Sequence, residues 1–293
     1  MVILFFCVNF VSCRHKPEWK EMMRIETITS ATNPKIKTLQ GLIEKSRLRR
    51  EMNLFVAEGF REVERGIAAG YLPKTLFLCG EILGEERLEH IAALAEKANP
   101  KCGLIMLPAF LYNKVAYRGG TEGVTAEFEC QEKKLEDLQL GEHPLVAVLE
   151  AVEKPGNLGA VLRSADAAGA DAVIICDPLT DLFNPNIIRS STGALFSKQV
   201  ALATSEETIA WLKARQIKIY TAQLQDSKPY YDTDMKCGTA IVMGTEATGL
   251  TDIWRTAADA HIRIPMAGQA DSLNVSVSAS ILLFEAVRQR NSQ

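Results

Sequence analysis

The stretch "PLVAVLEAVEKPGNLGAVLRSADAAGADAVIIC", residues 144–176, decides the fold because it contains a strand, a helix and a second strand. Its two ends are almost continuously apolar, which is typical of parallel strands buried on both faces. Between them, Pro155, Gly156 and Asn157 form a turn before a helix of small residues, and the second turn of that helix carries Arg163. This order predicts a parallel α/β sheet.

The same alternation of strands and helices continues to the end of the chain. Strands are predicted at 198–202, 217–222, 239–244 and 260–265, and the last helix at 274–290. The last helix has an apolar stripe at helical spacing, made of Val277, Ile281, Phe284 and Val287. This stripe belongs either to the core or to an interface between subunits.

A smaller α/β unit precedes this part of the chain. Strands predicted near residues 54–59, 74–79, 103–108 and 123–130 alternate with helices, and the charged stretch "QEKKLEDLQLGEHP" then interrupts the pattern. With 293 residues, 47% of them hydrophobic, the chain can form two cores. We predict domains at 23–130 and 144–293, joined by a linker at 131–143.

Residues 1–22 differ from the rest of the chain. They hold an apolar run that is too short to span a bilayer and has no basic residue before it. A secretory signal and an upstream extension before a start at Met22 or Met23 are the two interpretations. We favour the extension, because the remaining sequence has no other export feature, and we therefore expect a cytoplasmic protein without a membrane segment.

Composition limits the classes of function. The net charge of −3 provides no overall basic field, so a nucleic acid would have to bind a local patch. Seven widely spaced cysteines without a Cys-x-x-Cys pair, together with only four histidines, indicate neither a disulfide framework nor a metal site.

One local basic patch lies on a predicted amphipathic helix at residues 34–50. Asn33 can cap this helix, Pro34 suits its first position, and Ile36, Leu39 and Ile43 recur at helical spacing. The polar face is either a solvated surface or a contact for the RNA backbone. The residues proposed for that contact are Lys35, Lys45, Arg47, Arg49 and Arg50.

Three loops at predicted strand ends are rich in glycine and small polar residues. They are "LEAVEKPGNLGAVLR", "IVMGTEATGL" and "IPMAGQADSLNVSVSAS", which begin at residues 149, 241 and 264. Parallel sheets bind ligands at the carboxyl ends of their strands, so these loops predict one shared site. Neither a dinucleotide fingerprint nor a P-loop is present in the sequence, which disfavours a nicotinamide-dependent oxidoreductase or an ATPase.

Taken together, the loops resemble the three motifs of the SpoU (TrmH-type) family of SPOUT RNA methyltransferases. The motif residues are Asn157, Gly159 and Arg163 in the first loop, Gly244, Glu246, Gly249 and Leu250 in the second, and Ile264, Pro265, Met266, Ser272, Leu273 and Asn274 in the third. The amino-terminal half resembles, more loosely, the family's L30e-like substrate-binding domain.

The resemblance implies a trefoil-knotted parallel-sheet methyltransferase domain that acts as a homodimer through the knotted region. It also implies transfer of a methyl group from S-adenosylmethionine to a ribose 2′-hydroxyl, with 23S ribosomal RNA as the favoured substrate and transfer RNA second. An RNA-binding member of the fold that has lost methylation is the alternative. Such a member would lack motif residues that this chain retains.

The resemblance also assigns site residues. The catalytic set is Arg163, Asn157, Glu246, Ser272 and Asn274, and the residues expected around a bent cofactor, held mainly by backbone groups, are Thr221, Gly244, Ile264, Met266 and Leu273. Asn157, Ser272 and Asn274 are also suited to capping helices. Arg163 either gives up a proton when desolvated or stays charged and stabilises the developing alkoxide, and the second role costs less free energy.

Overall fold

A computed structural model describes residues 25–117 and 122–292 of the chain. The interpretations of residues 1–22, including the alternative starts, lie outside the described residues. The described chain forms two sheets of five and seven strands.

The smaller sheet has the strand order β1-β4-β3-β5-β2 and is mixed, because β5 pairs antiparallel with β2 and β3. Its strands are β1 (Ile25–Thr27), β2 (Leu54–Glu58), β3 (Pro73–Leu78), β4 (Gly103–Met106) and β5 (Val124–Glu129). The helices of this half, which we call the small domain, are α1 (Pro34–Glu44), α2 (Ser46–Met52), α3 (Phe60–Ala68), α4 (Gly80–Leu83), α5 (Glu85–Ala98) and α6 (Ala109–Val115).

The larger sheet has the order β10-β12-β9-β11-β6-β7-β8, and every neighbouring pair is parallel. Its strands are β6 (Leu145–Glu150), β7 (Ala172–Cys176), β8 (Gln199–Ala203), β9 (Lys218–Ala222), β10 (Lys228–Pro229), β11 (Thr239–Met243) and β12 (Ala260–Arg263). The helices are α7 (Pro155–Ala167), α8 (Pro185–Ser190), α9 (Ala194–Ser197), α10 (Ser205–Ala214), α11 (Asp252–Ala257) and α12 (Val275–Asn291). The predicted α/β class with a carboxyl-terminal parallel sheet is confirmed, whereas the knot stays a prediction.

The predicted single helix at 34–50 is wrong, because the chain forms two helices that separate at Lys45. Lys45 has extended backbone angles, φ −117° and ψ 109°. After this break α2 folds back on α1, so that a Cβ on Gly41 would lie 2.7 Å from a methyl group of Leu48. The predicted cap is present, since Asn33 Oδ1 accepts a hydrogen bond from the backbone N–H of Lys35 at 2.9 Å.

The two halves share one apolar core. The rings of Phe55 in β2 and Phe183 before α8 stack with centroids 4.6 Å apart, and Tyr71 and Phe196 pack in the same cluster. The predicted linker is also packed, because a short 3₁₀ turn at Leu135–Asp137 places Leu135 in the second core under the large sheet. The exact domain boundaries stay a prediction.

The last helix, α12, buries a different stripe from the predicted one. Ala279, Leu282, Leu283 and Ala286 are fully buried against the sheet and α7. Val277 and Phe284 are each 46% exposed, so at least two of the four residues of the predicted stripe face outward.

Candidate active site

A pocket lies at the carboxyl ends of β9, β11 and β12, beside the start of α12. Its volume is about 630 Å³, within the range typical of small-molecule sites, about 300–1,000 Å³. The loops after β11 and β12 form most of its wall. Four of the five residues predicted to surround a cofactor line it: Gly244, Ile264, Met266 and Leu273.

The loop after β11 closes tightly on itself because two glycines meet there. A Cβ on Gly244 would lie 2.3 Å from the carbonyl oxygen of Gly249, so no larger residue fits. Gly249 has a φ of +71°, which favours glycine, and its N–H donates to the Thr245 carbonyl at 3.1 Å. The Thr245 hydroxyl accepts from the N–H of Thr248 at 3.0 Å. This turn presents Glu246 at the rim of the pocket.

Glu246 joins the three motif loops through its carboxylate. Its Oε1 accepts hydrogen bonds from Asn157 Nδ2 and Asn274 Nδ2, each at 2.7 Å. Asn274 Nδ2 also lies 3.2 Å from Asn157 Oδ1, which completes a triangle of contacts. Three catalytic candidates from distant parts of the sequence are therefore in direct contact, and we call them the Asn157–Glu246–Asn274 cluster.

Lys154 adds a cation to this cluster by pairing with Glu246 Oε2. The hydrogen bond from Lys154 holds the pKa of the Glu246 carboxyl below its usual range, and the hydrogen bond from Asn157 acts in the same direction. The carboxylate raises the pKa of Lys154 in turn. Both groups are thus charged near neutral pH, and Glu246 acts as a hydrogen-bond acceptor rather than a proton donor.

The Pro-Gly-Asn segment is the first turn of α7 and not a separate turn before it. Pro155 occupies the first helical position, as its fixed φ favours, and Lys154 is the N-cap residue. Asn157 therefore lies inside the helix, where it bonds to Glu246 instead of capping. Asn274 does both, because its Oδ1 accepts from the N–H of Ser276 at 3.0 Å and caps α12.

Gly159 of the first motif has a packing role. A Cβ on Gly159 would lie 1.9 Å from Ser190 Oγ and 2.8 Å from the carbonyl oxygen of Ile187, both in α8. The glycine thus allows α7 and α8 to pack closely beneath the site.

Thr221, Ser272 and Arg163 were also predicted for the site, and none of them is part of the cluster. Thr221 does not line the pocket: its side chain is fully buried and its Oγ1 lies 2.7 Å from His261 Nδ1. Ser272 lines the pocket and is exposed, with its Oγ 3.5 Å from Asp271 Oδ1. Arg163 is exposed on α7 and does not line the pocket, and its guanidinium forms no hydrogen bond or ion pair with a described residue.

Arg49 must be removed from the predicted RNA-binding residues. Its side chain is only 3% exposed, and its guanidinium donates to Asp181 Oδ2 at 2.6 Å and to the carbonyl oxygen of Leu42 at 2.5 Å. Burial is possible because Asp181, which lies between β7 and α8, compensates the charge. Lys35, Lys45, Arg47 and Arg50 remain on the surface, although Lys35 pairs with Glu26 and Arg47 with Glu51.

Sequence reasoning missed three polar residues of this region. Lys154 lies within the first loop, three residues before Asn157, and Gln223 directly follows β9, so position alone could have indicated both. Arg255 lies on the short helix α11 outside all three motifs, and no sequence signal marked it. Gln223 and Arg255 both line the pocket.

Within the described ranges, no group of three or more His, Cys, Asp or Glu residues is arranged to hold a metal ion. No helix in the same ranges is both long and apolar enough to cross a bilayer.

These features define the class: a parallel α/β protein with a small-molecule pocket at its strand ends and a polar cluster on the rim. Comparison with known proteins is consistent with this class. Residues 144–284 match the model of the "SpoU rRNA Methylase family", and residues 33–126 match the "MRM3-like substrate binding domain".

Two relatives extend over most of the chain. The 23S rRNA (uridine(2479)-2'-O)-methyltransferase of Streptomyces viridochromogenes is 30% identical over 276 residues, covering 89% of this chain and 92% of the relative. The 23S rRNA (guanosine(2553)-2'-O)-methyltransferase RlmP of Bacillus subtilis (strain 168) is 30% identical over 260 residues, covering 89% and 98%.

Among solved structures, the AdoMet-bound rRNA methyltransferase from Sinorhizobium meliloti superposes with a TM-score of 0.83 at 31% identity, covering 92% of this chain and 99% of that one. The chain belongs to the SpoU rRNA methylase family.

Proposed function

We propose that this protein transfers a methyl group from S-adenosylmethionine to a ribose 2′-hydroxyl of 23S ribosomal RNA. The observation that carries the proposal is the Asn157–Glu246–Asn274 cluster at the rim of the pocket, because it unites the three family motifs in one place. The relatives that cover nearly all of this chain are named as 23S rRNA 2′-O-methyltransferases, which supports the substrate.

The pocket suits S-adenosylmethionine in shape and chemistry. The close approach of Gly244 to Gly249 leaves a wall without side chains, and Leu273 and Met266 supply apolar surface. Gln223 and Arg255 also line the pocket, and each has one buried polar atom, Oε1 and Nε respectively, without a partner among the described residues. S-adenosylmethionine would supply the activated methyl group. Gly244, Ile264, Met266 and Leu273 would hold it.

Arg163 is proposed to act on the RNA side of the reaction. A solvated guanidinium keeps its charge, so the exposure of Arg163 favours a role in binding a phosphate and stabilising the developing alkoxide over a role as proton acceptor. Because it has no partner in the described chain, its planar fork is available to RNA. Glu246, kept ionised by Lys154, would orient Asn157 and Asn274 beside the reacting groups.

We also propose that the protein is a homodimer through the exposed apolar face of α12. Val277 and Phe284 project from this face, and a shared interface would bury them. The small domain would contact RNA through the surface cations of α1 and α2, and Lys45 and Arg50 are the best candidates because neither forms an ion pair with a described residue. The cytoplasmic location remains a prediction.

The test is Arg163→Lys, which keeps the charge but loses the planar fork. Ribosomal RNA lacking the modification is incubated with enzyme and labelled S-adenosylmethionine, and nucleosides are identified by mass spectrometry. We expect 2′-O-methylated product with the wild type and a loss of at least about a hundredfold in rate with the variant, comparable to removing an oxyanion donor. Arg215→Lys, a cation stacked on Trp211, is the control. Absence of a 2′-O-methyl product with wild type would refute the proposal.

The RNA contact has a separate test. Reversing the charges of Lys45 and Arg50 to Glu should weaken RNA binding and reduce the slope of log affinity against log salt by about 1 to 2. Affinity for the cofactor should not change. The same reversal at Lys97 and Lys101, exposed cations of the small domain, is the control. Equal RNA affinity in both double variants would show that α1 and α2 are only a solvated surface.

A further inference from the structure

Three exposed arginines lie on neighbouring helices where the small domain meets the domain of the larger sheet. They are Arg65 on α3, Arg189 on α8 and Arg163 on α7, and none of them forms an ion pair with a described residue. The chain as a whole has a net charge of −3, so cations without acidic partners create a local positive surface. We call these residues the junction arginines.

Arg65 reaches from the small domain to the turn that follows α8. Its Nη1 donates to the carbonyl oxygen of Thr192 at 2.7 Å, and a Cβ on Gly193 would lie only 3.0 Å from Arg65 Cδ. This is the one hydrogen bond of the Arg65 side chain within the described ranges. A guanidinium has five N–H donors, so Arg65 is held in place with donors left for a ligand.

Arg189 is next to this anchor, in the last turn of α8. Its carbonyl oxygen accepts a hydrogen bond from the N–H of Thr192 at 2.9 Å, so the residue that Arg65 contacts is bonded directly to Arg189. The next residue, Ser190, packs against α7, because a Cβ on Gly159 would lie 1.9 Å from its Oγ. Arg189 therefore lies between the contact with α3 and the contact with α7.

Arg163 continues the row on α7. It follows Gly159 by four residues, which places it about 6 Å further along the helix and about 40° around it. Helical side chains lie over the preceding turn, so Arg163 lies over the turn that packs on Ser190. Asp166 is at the spacing for an ion pair with Arg163 but pairs with Lys198, at 3.6 Å. The positive charge of Arg163 is thus not compensated within the described ranges.

We propose that Arg65, Arg189 and Arg163 bind phosphates of the RNA strand that enters the active site, an inference that rests on the proposed function. The planar fork of a guanidinium matches a phosphate with two parallel N–H donors. Phosphate contacts fix the register of a nucleic acid without reading its sequence. The junction arginines therefore carry the strand from the small domain to the reacting ribose and position that ribose beside Arg163.

A purely structural role explains these residues less well. Arg65 could serve only to join the two domains, but a bond to a carbonyl oxygen requires one N–H donor and no charge. The Arg189 side chain makes no hydrogen bond or ion pair with a described residue, so no structural task is assigned to its charge. Neither residue lines the pocket, and a contact with the cofactor does not account for them.

The experiment measures the salt dependence of RNA binding. Wild type, Arg65→Gln, Arg189→Gln and the double variant are titrated into a 23S ribosomal RNA transcript between about 0.05 and 0.5 M salt. Glutamine removes the charge but keeps an N–H donor for the Thr192 carbonyl. The control has the same change in charge, as Lys97→Gln combined with Lys213→Gln, two exposed cations on α5 and α10. Thermal unfolding and calorimetry with S-adenosylhomocysteine verify the fold and the pocket.

We expect the double variant to reduce the slope of log affinity against log salt by about 1.4–1.8, as the loss of two phosphate contacts predicts. Its affinity for the transcript should be at least about tenfold weaker at about 0.1 M salt and should approach that of the wild type as salt rises. The control should keep the slope of the wild type.

An unchanged slope in the double variant would overturn the proposal, and so would an equal reduction in the control. An affinity loss of the same size at every salt concentration would also overturn it, because the two charges would then not act on phosphates. Wild-type protein that forms no 2′-O-methylated product on the transcript would instead refute the proposed function.

Discussion

Asn274 Nδ2 lies 2.7 Å from Glu246 Oε1, so the residue that caps the last helix also holds the carboxylate of the second motif loop. The same oxygen accepts from Asn157 at 2.7 Å. One carboxylate thus fixes the relative positions of α7, α12 and the pocket rim.

Glu246→Ala should therefore disconnect the three loops. It removes the acceptor shared by Asn157 and Asn274 and the partner of Lys154. We expect methylation to fall at least about tenfold and cofactor affinity to fall with it, by calorimetry and labelled methyl transfer. Glu153→Ala, an exposed neighbour of Lys154, is the control. Full activity of the Glu246 variant would mean that the cluster does not organise the site.

Gly159→Ala tests the packing role of the first-motif glycine. The added Cβ would lie 1.9 Å from Ser190 Oγ, so α7 and α8 must separate, and overpacking of this kind costs about 1–3 kcal/mol. Gly156→Ala, one turn earlier with nothing within 4 Å of the added atom, should leave stability equal or higher by up to about 1 kcal/mol. Urea denaturation measures both. Similar stabilities would contradict the close packing.

The sequence predicted the strands of the larger sheet well, because buried parallel strands such as β6 and β7 are continuous apolar runs. It also predicted which loops converge, since the carboxyl ends of parallel strands share one edge. It could not show that Arg49 is buried, because Asp181, which pairs with it, lies 132 residues away. The break at Lys45 was likewise hidden, since it depends on α2 packing back over Gly41 and not on a local helix-breaking residue.

The site was predicted less completely than the fold. The family motifs identified Asn157, Glu246 and Asn274, but they could not show that the Thr221 side chain is buried, with its hydroxyl in contact with His261 and not with the pocket. Arg255 was missed because a charged residue on a short surface helix is expected to be solvated. Only the folded structure shows that part of its side chain is buried.

The Arg49–Asp181 ion pair should be important for stability. Arg49→Met leaves the Asp181 carboxylate and two backbone carbonyls without their buried partner, and breaking a buried pair on one side costs about 3–5 kcal/mol. Arg47→Met, which breaks the exposed pair with Glu51, should cost less than about 1 kcal/mol. Chemical denaturation of the two variants gives the comparison. Equal losses of unfolding free energy in the two variants would show that burial of the Arg49 ion pair adds nothing to stability.

Glu127 makes stability depend on pH. Burial in β5 raises the pKa of this carboxyl to about 7, opposed by a hydrogen bond from Thr75 and by Lys35. The folded state then binds the proton more tightly than the unfolded state, so stability is greatest below the unfolded pKa and falls as pH rises towards 7. Glu127→Gln removes this loss. Its advantage over wild type should be about 2 kcal/mol larger at pH 8 than at pH 5.

Denaturation at the two pH values measures this difference. The control is Glu129→Gln on the same strand, where the carboxylate is more exposed and pairs with Lys74. If the difference in unfolding free energy between Glu127→Gln and wild type is the same at both pH values, Glu127 is not the group that titrates.

The aromatic stack between Phe55 and Phe183 and the buried Arg49–Asp181 ion pair join the two halves of the protein. Under the proposed function, these contacts set the distance between the surface cations of α1 and α2 and the pocket. The target ribose would then be selected in part by its spacing from the RNA element that those cations bind.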